Sequence, residues 1–328
     1  MEIDISVIVP LHNEEQNLRD FFSEFDKEKE SLQGSFELIF VNDGSTDNSE
    51  EIIQDLVKKS DYTKAISLIK NVGKAGALEH GFRLASGEVV IIVDCDLQYD
   101  LSNIKDLIQK IKEGWDVVSG RRVNRVDSTG VVLTSWIFRQ VLKKLSGLNF
   151  DDYFSGLKCF RSKVISRLCA HGDLNRLFTV YAYKAGYKVC EISITHRARG
   201  QGLSKYTFLS RLKIAISDAI GLFFTVTVGQ AKIHRIGLIG FTFSSFGAII
   251  FVLSFLSSQR EKNLFFEGNL FLTSVLFLYI GWQLRVIETV GKDFIERHEL
   301  GYGLRMRNVG RIYNADEKND LTLKKNDL

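Results

Sequence analysis

The sequence predicts an α/β fold, a mostly parallel sheet flanked by helices and followed by a hairpin of two membrane-spanning helices. Three observations point there. The first half alternates short β-branched runs with amphipathic stretches, the runs are almost continuously apolar, and the C-terminal third holds two long stretches nearly free of charge. Strands buried on both faces by crossover helices read as unbroken apolar runs, and strand–helix alternation implies a parallel sheet.

The strand candidates are Ile5–Pro10, Phe36–Asn42, Lys64–Ile69, Glu88–Asp94 and Asp116–Gly120. Leu18, Phe21, Phe22 and Phe25 recur at helical spacing between them, as do Ile52, Ile53, Leu56 and Val57, and then Ile104, Leu107, Ile108 and Ile111. Pro10 is the one proline of the chain, and directly after a strand run it is read as a sharp exit at a sheet edge. Ligands of such sheets sit beyond the carboxyl ends of the strands, so chemistry is sought in the segments that follow each strand.

Composition narrows the function. With 45% apolar and 25% charged residues in 328, the bulk of the chain folds around a real core. A net charge of +3 without a dense Lys/Arg run excludes a nucleic-acid binder. Four dispersed cysteines, Cys95, Cys159, Cys169 and Cys190, with no CxxC pair, argue against a zinc site or a disulfide framework and fit a reducing compartment. The acidic start enters a strand at once, which reads as no signal peptide.

The stretch 236–256 is uncharged and long enough for a bilayer that needs about 20 residues. A second stretch, 264–284, carries Glu267 near its start; two buried core helices are the alternative reading. Basic residues flank the pair on both outer sides, from Arg197 to Arg235 and from Arg285 to Arg311, which puts both ends in the cytoplasm and makes the protein multi-pass in the cell membrane. The expected organisation is a cytosolic catalytic domain over 1–205, interfacial amphipathic helices over 206–235, two spans over 236–286, and a cytosolic tail over 287–328 with a disordered end. Packing of 206–228 against the soluble domain is the other reading of that stretch.

Four polar clusters follow strand candidates. Asp94-Cys95-Asp96-Leu97-Gln98 ends the fourth apolar run, and two carboxylates one residue apart repel one another unless a cation sits between them. A hard divalent ion bridging phosphate oxygens, Mg²⁺ or Mn²⁺, is the natural guest. Val41-Asn42-Asp43-Gly44-Ser45-Thr46-Asp47 reads mostly as a turn and helix N-cap, with Asp43 free to meet a base or ribose. Pro10-Leu11-His12-Asn13-Glu14-Glu15 and Lys70-Asn71-Val72-Gly73-Lys74-Ala75-Gly76 complete the set, and the last matches neither the P-loop nor the dinucleotide fingerprint. One nucleotide pocket lined from four strand ends, Pro10, His12, Glu14, Asp43, Lys74 and Asp94 included, is the economical reading.

In order and spacing these motifs resemble the inverting family 2 glycosyltransferases, most closely the polyprenyl-phosphate glycosyltransferases. The resemblance continues through Ser119-Gly120-Arg121, Asp152 with Ser155-Gly156-Leu157, and His196-Arg197-Ala198-Arg199 leading to Ser204-Lys205-Tyr206, and covers about residues 4 to 210. It implies a GT-A fold and transfer of a hexose from a nucleotide-sugar such as UDP-glucose or GDP-mannose to a polyprenyl phosphate with inversion. Pro10, Glu14 and Asp43 would line the base and ribose, Asp94 would approach the donor, and Asp96 and Gln98 would hold the metal. Arg121 and Arg139 match residues that receive the acceptor phosphate, Asp152 an acid near the sugar, and Arg199 and Lys205 a basic segment near the site. Four features depart from the pattern: His12 where tyrosine is usual, Cys95 in place of a common alanine, Tyr99-Asp100-Leu101 after the metal motif, and Lys143 in the acceptor helix. Two rivals stay open, a membrane-anchored transferase acting on a saccharide or protein, and a non-catalytic nucleotide-sugar-binding membrane protein. The oligomeric state is left open as well, a homo-oligomer included.

Overall fold

The computed structural model describes residues 3–32, 34–123, 129–168, 177–197, 229–258, 264–305 and 309–314, with residues 216, 220, 222 and 223. The chain divides into two compact units, Met1–Ala215 with Glu299–Leu328, and Ile216–His298.

The first unit is built on one eight-stranded sheet. Its strands are β1 (Ile5–Leu11), β2 (Phe36–Asn42), β3 (Thr63–Leu68), β4 (Val89–Ile92), β5 (Val117–Val123), β6 (Lys158–Arg161), β7 (Val189–Thr195) and β8 (Val309–Asn314), in the order β7-β5-β6-β4-β1-β2-β3-β8. The pairs β4–β1, β1–β2, β2–β3 and β5–β7 are parallel, whereas β6 runs antiparallel between β4 and β5 and β8 runs antiparallel along β3. Helices α1 (Leu18–Glu28), α2 (Ser49–Lys59), α3 (Lys74–Leu84), α4 (Ile104–Lys112), α5 (Thr129–Ser146), α6 (Ser162–Leu168) and α7 (Phe178–Lys184) connect the strands.

Alternation along the central strands sets the layers. Val7, Val9, Leu38, Phe40 and Ile91 bury one face against Phe21 and Phe25 of α1, Ile53 and Leu56 of α2, and Leu107 and Ile111 of α4. Ile8, Ile39, Val41, Ile66 and Ile92 bury the other against Ala77 and Leu78 of α3, Val164 of α6 and Phe178 of α7. Covered on both faces, these strands are mainly apolar, the buried hydrogen bond from Ser6 of β1 to Glu37 of β2 being one exception, and the polar clusters sit at the sheet's carboxyl ends.

Pro10 does not mark a sheet edge. It lies inside β1, a central strand, in register with Val41. The Ile8 carbonyl accepts from Val93 N–H on the β4 side and the Leu11 carbonyl accepts from Asp43 N–H on the β2 side, so Pro10 faces β4. The ladder with β4 ends at the Ile8–Ile92 pair, and a missing N–H beyond that point leaves no bond unmade.

The second unit contains α8 (Gly229–Ser258) and most of α9 (Leu264–Arg305), within which Lys232–Leu256 and Asn269–Asp293 are apolar enough to cross a membrane. Only 17% and 11% of these windows are buried, so most of their apolar surface is left uncovered by the described residues of this chain. Both helices extend beyond the stretches 236–256 and 264–284 read from composition. They pack as an antiparallel hairpin: Phe243 and Phe246 meet Phe277, and Phe251 meets Phe271. Between them the backbones approach at small residues. A Cβ on Gly240 would lie 2.9 Å from the Gly281 carbonyl, and one on Gly281 would collide with Ser244. Gly281→Leu is therefore expected to separate the helices and lower the thermal stability of the detergent-solubilised protein by about 1–3 kcal/mol. An unshifted melting transition would contradict this packing.

The interfacial helices expected over 206–235 fall mostly outside the described residues, as does the disordered end expected after residue 314. Of the expected 287–328 tail, the described part is ordered, the end of α9 followed by β8.

Candidate active site

Polar residues converge where β1 to β4 end and β6 begins. The first cluster is held by Asp43, buried directly after β2. Its two carboxylate oxygens accept the N–H groups of Val72 (2.7 Å) and Gly73 (2.9 Å), and its carbonyl accepts from His12 Nδ1 (2.8 Å). Asp43 thus ties the β1 and β3 loops to its own. Gly73 has φ +85°, a left-handed conformation that suits glycine, and leads into α3. The β1 loop is also sewn to the β2 loop: Glu14 N–H donates to Ser49 Oγ (3.0 Å), and Thr46 N–H to Asn13 Oδ1 (2.8 Å). Glu14 itself accepts from Asn17 Nδ2 (2.7 Å).

The second cluster surrounds Asp94. Lys74, in the first turn of α3, makes a short ion pair with Asp94 Oδ1, and the other face of that carboxylate packs on Gly156, where any Cβ would collide with it. Burial opposes the charge on Lys74, but adjoining Asp94 raises its pKa on balance. Asp96 is buried and accepts the Gln98 N–H (3.2 Å), with Leu97 between them at φ +58°. Tyr99, also buried, accepts the Gly156 N–H (2.6 Å) and so pins the β4 loop to the turn before β6.

Among the described residues no group of three or more His, Cys, Asp and Glu side chains forms a metal cage. Asp94, Asp96 and Gln98 instead suit a cation that takes one or two carboxylates and completes its shell with substrate phosphates, the usual arrangement for magnesium.

The third cluster was only half legible in sequence. Arg121 reaches Asp151 Oδ2 (2.7 Å) and Ser193 Oγ (2.7 Å), and Arg139 reaches Asp151 Oδ1 (3.1 Å), so two guanidinium groups share one half-exposed carboxylate. Asp152 is buried and gripped bidentately by Arg122, Nε to Oδ2 at 2.6 Å and Nη2 to Oδ1 at 2.9 Å. Glu191 on β7 accepts the N–H groups of Asp151 (2.9 Å) and Asp152 (3.3 Å), and burial raises its pKa against those bonds. The pairing follows adjacency, Arg121 with Asp151 and Arg122 with Asp152, so the two neighbouring dipeptides were the available signal for Arg122. Arg199 and Lys205 lie outside the described residues.

Lys158, the first residue of β6, was missed because a four-residue strand with a charge at each end has no periodicity to betray it. It is buried among Lys74, Asp94, Asp152 and Arg122, and its Nζ donates to the Ser155 carbonyl (2.7 Å). Burial, helped by Lys74 and opposed by Asp152 and Asp94, depresses its pKa from 10.5 to about 7. Between those values the unfolded chain holds a proton that the folded one does not. Stability therefore rises with pH across that window, by up to about 1.4 kcal/mol per unit. Lys158→Met is expected to remove this slope, so that its melting advantage over the wild type shrinks from pH 7 to pH 9. A difference independent of pH would contradict the assignment.

Residues 6–169, half of the chain, match the profile of Glycosyl transferase family 2. The chain belongs to that family. It is 28% identical over 312 residues, 94% of this chain and 89% of the relative, to undecaprenyl-phosphate 4-deoxy-4-formamido-L-arabinose transferase of Proteus mirabilis. The Yersinia pestis enzyme of the same name is 29% identical over 314 residues, with the same coverage. Among solved structures, glucosyl-3-phosphoglycerate synthase of Mycobacterium tuberculosis, in complex with Mn²⁺, UDP and glucosyl-3-phosphoglycerate, superposes with a TM-score of 0.52. That likeness, at 20% identity over 68% of this chain and 79% of the synthase, shows the fold. The mixed sheet with flanking helices is the GT-A fold of this family, carrying a C-terminal apolar hairpin.

Proposed function

We propose that the protein transfers a sugar from a nucleotide diphosphate-sugar to a polyprenyl phosphate at the cytoplasmic face of the membrane, with inversion. One conjunction carries the reading. Asp94 and Asp96 end a buried strand beside Lys74, while Arg121 and Arg139 on neighbouring elements converge on one partly exposed carboxylate. The first set suits a donor diphosphate and its divalent ion, and the second suits a phosphate monoester competing with Asp151 for the same two guanidinium forks.

Such an acceptor, with a second pKa near ~6, is mostly dianionic at neutral pH and needs no strong base. Its oxygen bonds to the anomeric carbon as the bond to the nucleoside diphosphate breaks, so no net proton changes hands. A bound Mg²⁺ or Mn²⁺ would neutralise the leaving diphosphate. Asp96 and Gln98 would hold that charge in place, Lys74 would orient Asp94 toward the donor, and Asp43 with His12 would shape the base side of the pocket. The opposing charges of Arg122 and Asp152 would keep the reacting region ordered.

Membrane attachment supports the lipid acceptor, since an enzyme held at the interface meets a lipid phosphate at raised effective concentration. β8 lies in the same sheet as the strands that precede the hairpin. A chain whose α8 and α9 both cross the bilayer must therefore return to its starting side, and the basic flanks make that side cytoplasmic. The test is a panel of radiolabelled nucleotide sugars incubated with membranes containing the protein, undecaprenyl phosphate and Mg²⁺ or Mn²⁺. Metal-dependent label in the organic phase from one donor is expected and names the sugar. A donor consumed without lipid labelling would favour a saccharide or protein acceptor.

A further inference from the structure

The segment leaving β7 is fastened to the turn after β4 by more bonds than chain connectivity requires. The Arg197 N–H donates to the Gln98 carbonyl (2.8 Å), and Tyr99 and His196 form an isolated antiparallel bridge with their rings edge to face at 5.6 Å. The Arg197 guanidinium then spans two acids, Nη1 to both oxygens of Glu24 (2.9 and 3.0 Å) and Nη2 to Asp100 Oδ2 (2.7 Å). Glu24 belongs to α1, anchored in the core through Phe21 and Phe25 on either side of it. Asp100 opens the short helical turn Leu101–Asn103 by accepting from Ser102 N–H.

These bonds act on a backbone that would not hold its shape alone. Leu97 sits at φ +58°, a region that leucine rarely occupies and that persists only where the surroundings over-determine it. Gln98, next to it, is fixed on both sides, its N–H on Asp96 Oδ1 and its carbonyl on Arg197 N–H. The orientation of the Asp96 carboxylate relative to the Gln98 amide thus depends on the strap from β7.

We propose that Arg197 is a positioning residue which, by bridging Asp100 on the turn and Glu24 on α1, holds Asp96 and Gln98 in the geometry that binds the divalent ion. The proposal rests on the donor-site reading above. Partners that orient ligands without touching the metal typically change metal affinity by tens of fold when removed. Lysine, with a single compact charge, bridges the two acids less well than the guanidinium fork.

The test is Mn²⁺ binding, read by electron paramagnetic resonance, to the full-length detergent-purified protein with saturating UDP. Arg197→Ala is expected to weaken Mn²⁺ binding about tenfold and Arg197→Lys by less, while UDP binding without metal is unchanged. Glu24→Gln should weaken it in the same direction and add little on top of Arg197→Ala, because both remove one bridge. In turnover, raising Mn²⁺ should restore the rate of Arg197→Ala, a response that a merely destabilised variant would not give. Wild-type Mn²⁺ affinity in Arg197→Ala would overturn the proposal and leave the donor-site reading standing. A wild-type protein that binds no Mn²⁺ with UDP, with GDP or with the nucleoside diphosphate of the donor named by the panel would overturn both.

Discussion

Asp96→Asn is expected to lower sugar transfer by about 10³-fold, on the order of 4 kcal/mol of transition-state stabilisation, with little change in melting temperature. The substitution keeps the shape and a carbonyl oxygen for the Gln98 N–H, so the β4 turn keeps its bond while the charge disappears. The surrounding support, Val93 and Cys95 in the core and Tyr99 on Gly156, is untouched. A carboxylate needed only for the fold would give the opposite pattern, lost stability with near-normal kcat in the protein that remains folded. Steady-state kinetics across a Mn²⁺ titration, with thermal denaturation on the same samples, separates the two.

Arg122→Ala and Asp152→Ala are each expected to destabilise the catalytic unit by about 3–5 kcal/mol, because each strands a buried partner charge. The Asp152 side chain is 3% exposed and that of Arg122 16%, and two charge-assisted bonds join them. Replacing both by leucine should recover most of that stability, since the penalty comes from leaving one charge alone. The double variant also decides what Asp152 does beyond the pair. Restored stability with restored transfer would make it purely an anchor. Restored stability without transfer would place it at the sugar, as the family resemblance implies.

What the sequence revealed follows from which physical signals are local. β1, β2 and β3 are legible as apolar runs because helices cover both their faces, and α1, α2 and α4 because one face repeats at helical spacing. β6 is four residues with a charge at each end, and its antiparallel place between β4 and β5 depends on partners far along the chain. β7 does alternate, at Ile192 and Ile194, but a half-exposed strand gives a faint pattern. β8 follows the hairpin and pairs with β3 across some 245 residues of chain, a contact that nothing local announces.

The site divides in the same way. Asp94, Asp96 and Gln98 stood out in the sequence because two acids at the end of a buried strand lack an easy structural role. Asp43 looked equally available for a ligand, yet both its oxygens hold the Val72–Gly73 backbone. Loop-to-loop bonds of that kind are invisible until the strand order is known. Arg121 and Arg139 were singled out one at a time, and their shared grip on Asp151 emerges only when β5 and α5 come together.

The most direct test of the account uses purified protein in nanodiscs with the donor identified by the panel, Mn²⁺, and either undecaprenyl phosphate or undecaprenol. Mass spectrometry of the lipid fraction, beside released nucleoside diphosphate, should show one sugar added per nucleotide released with the phosphate and none with the alcohol. Equal glycosylation of both lipids, or nucleotide release without a sugar-phospholipid, would contradict a phosphate acceptor received by Arg121 and Arg139.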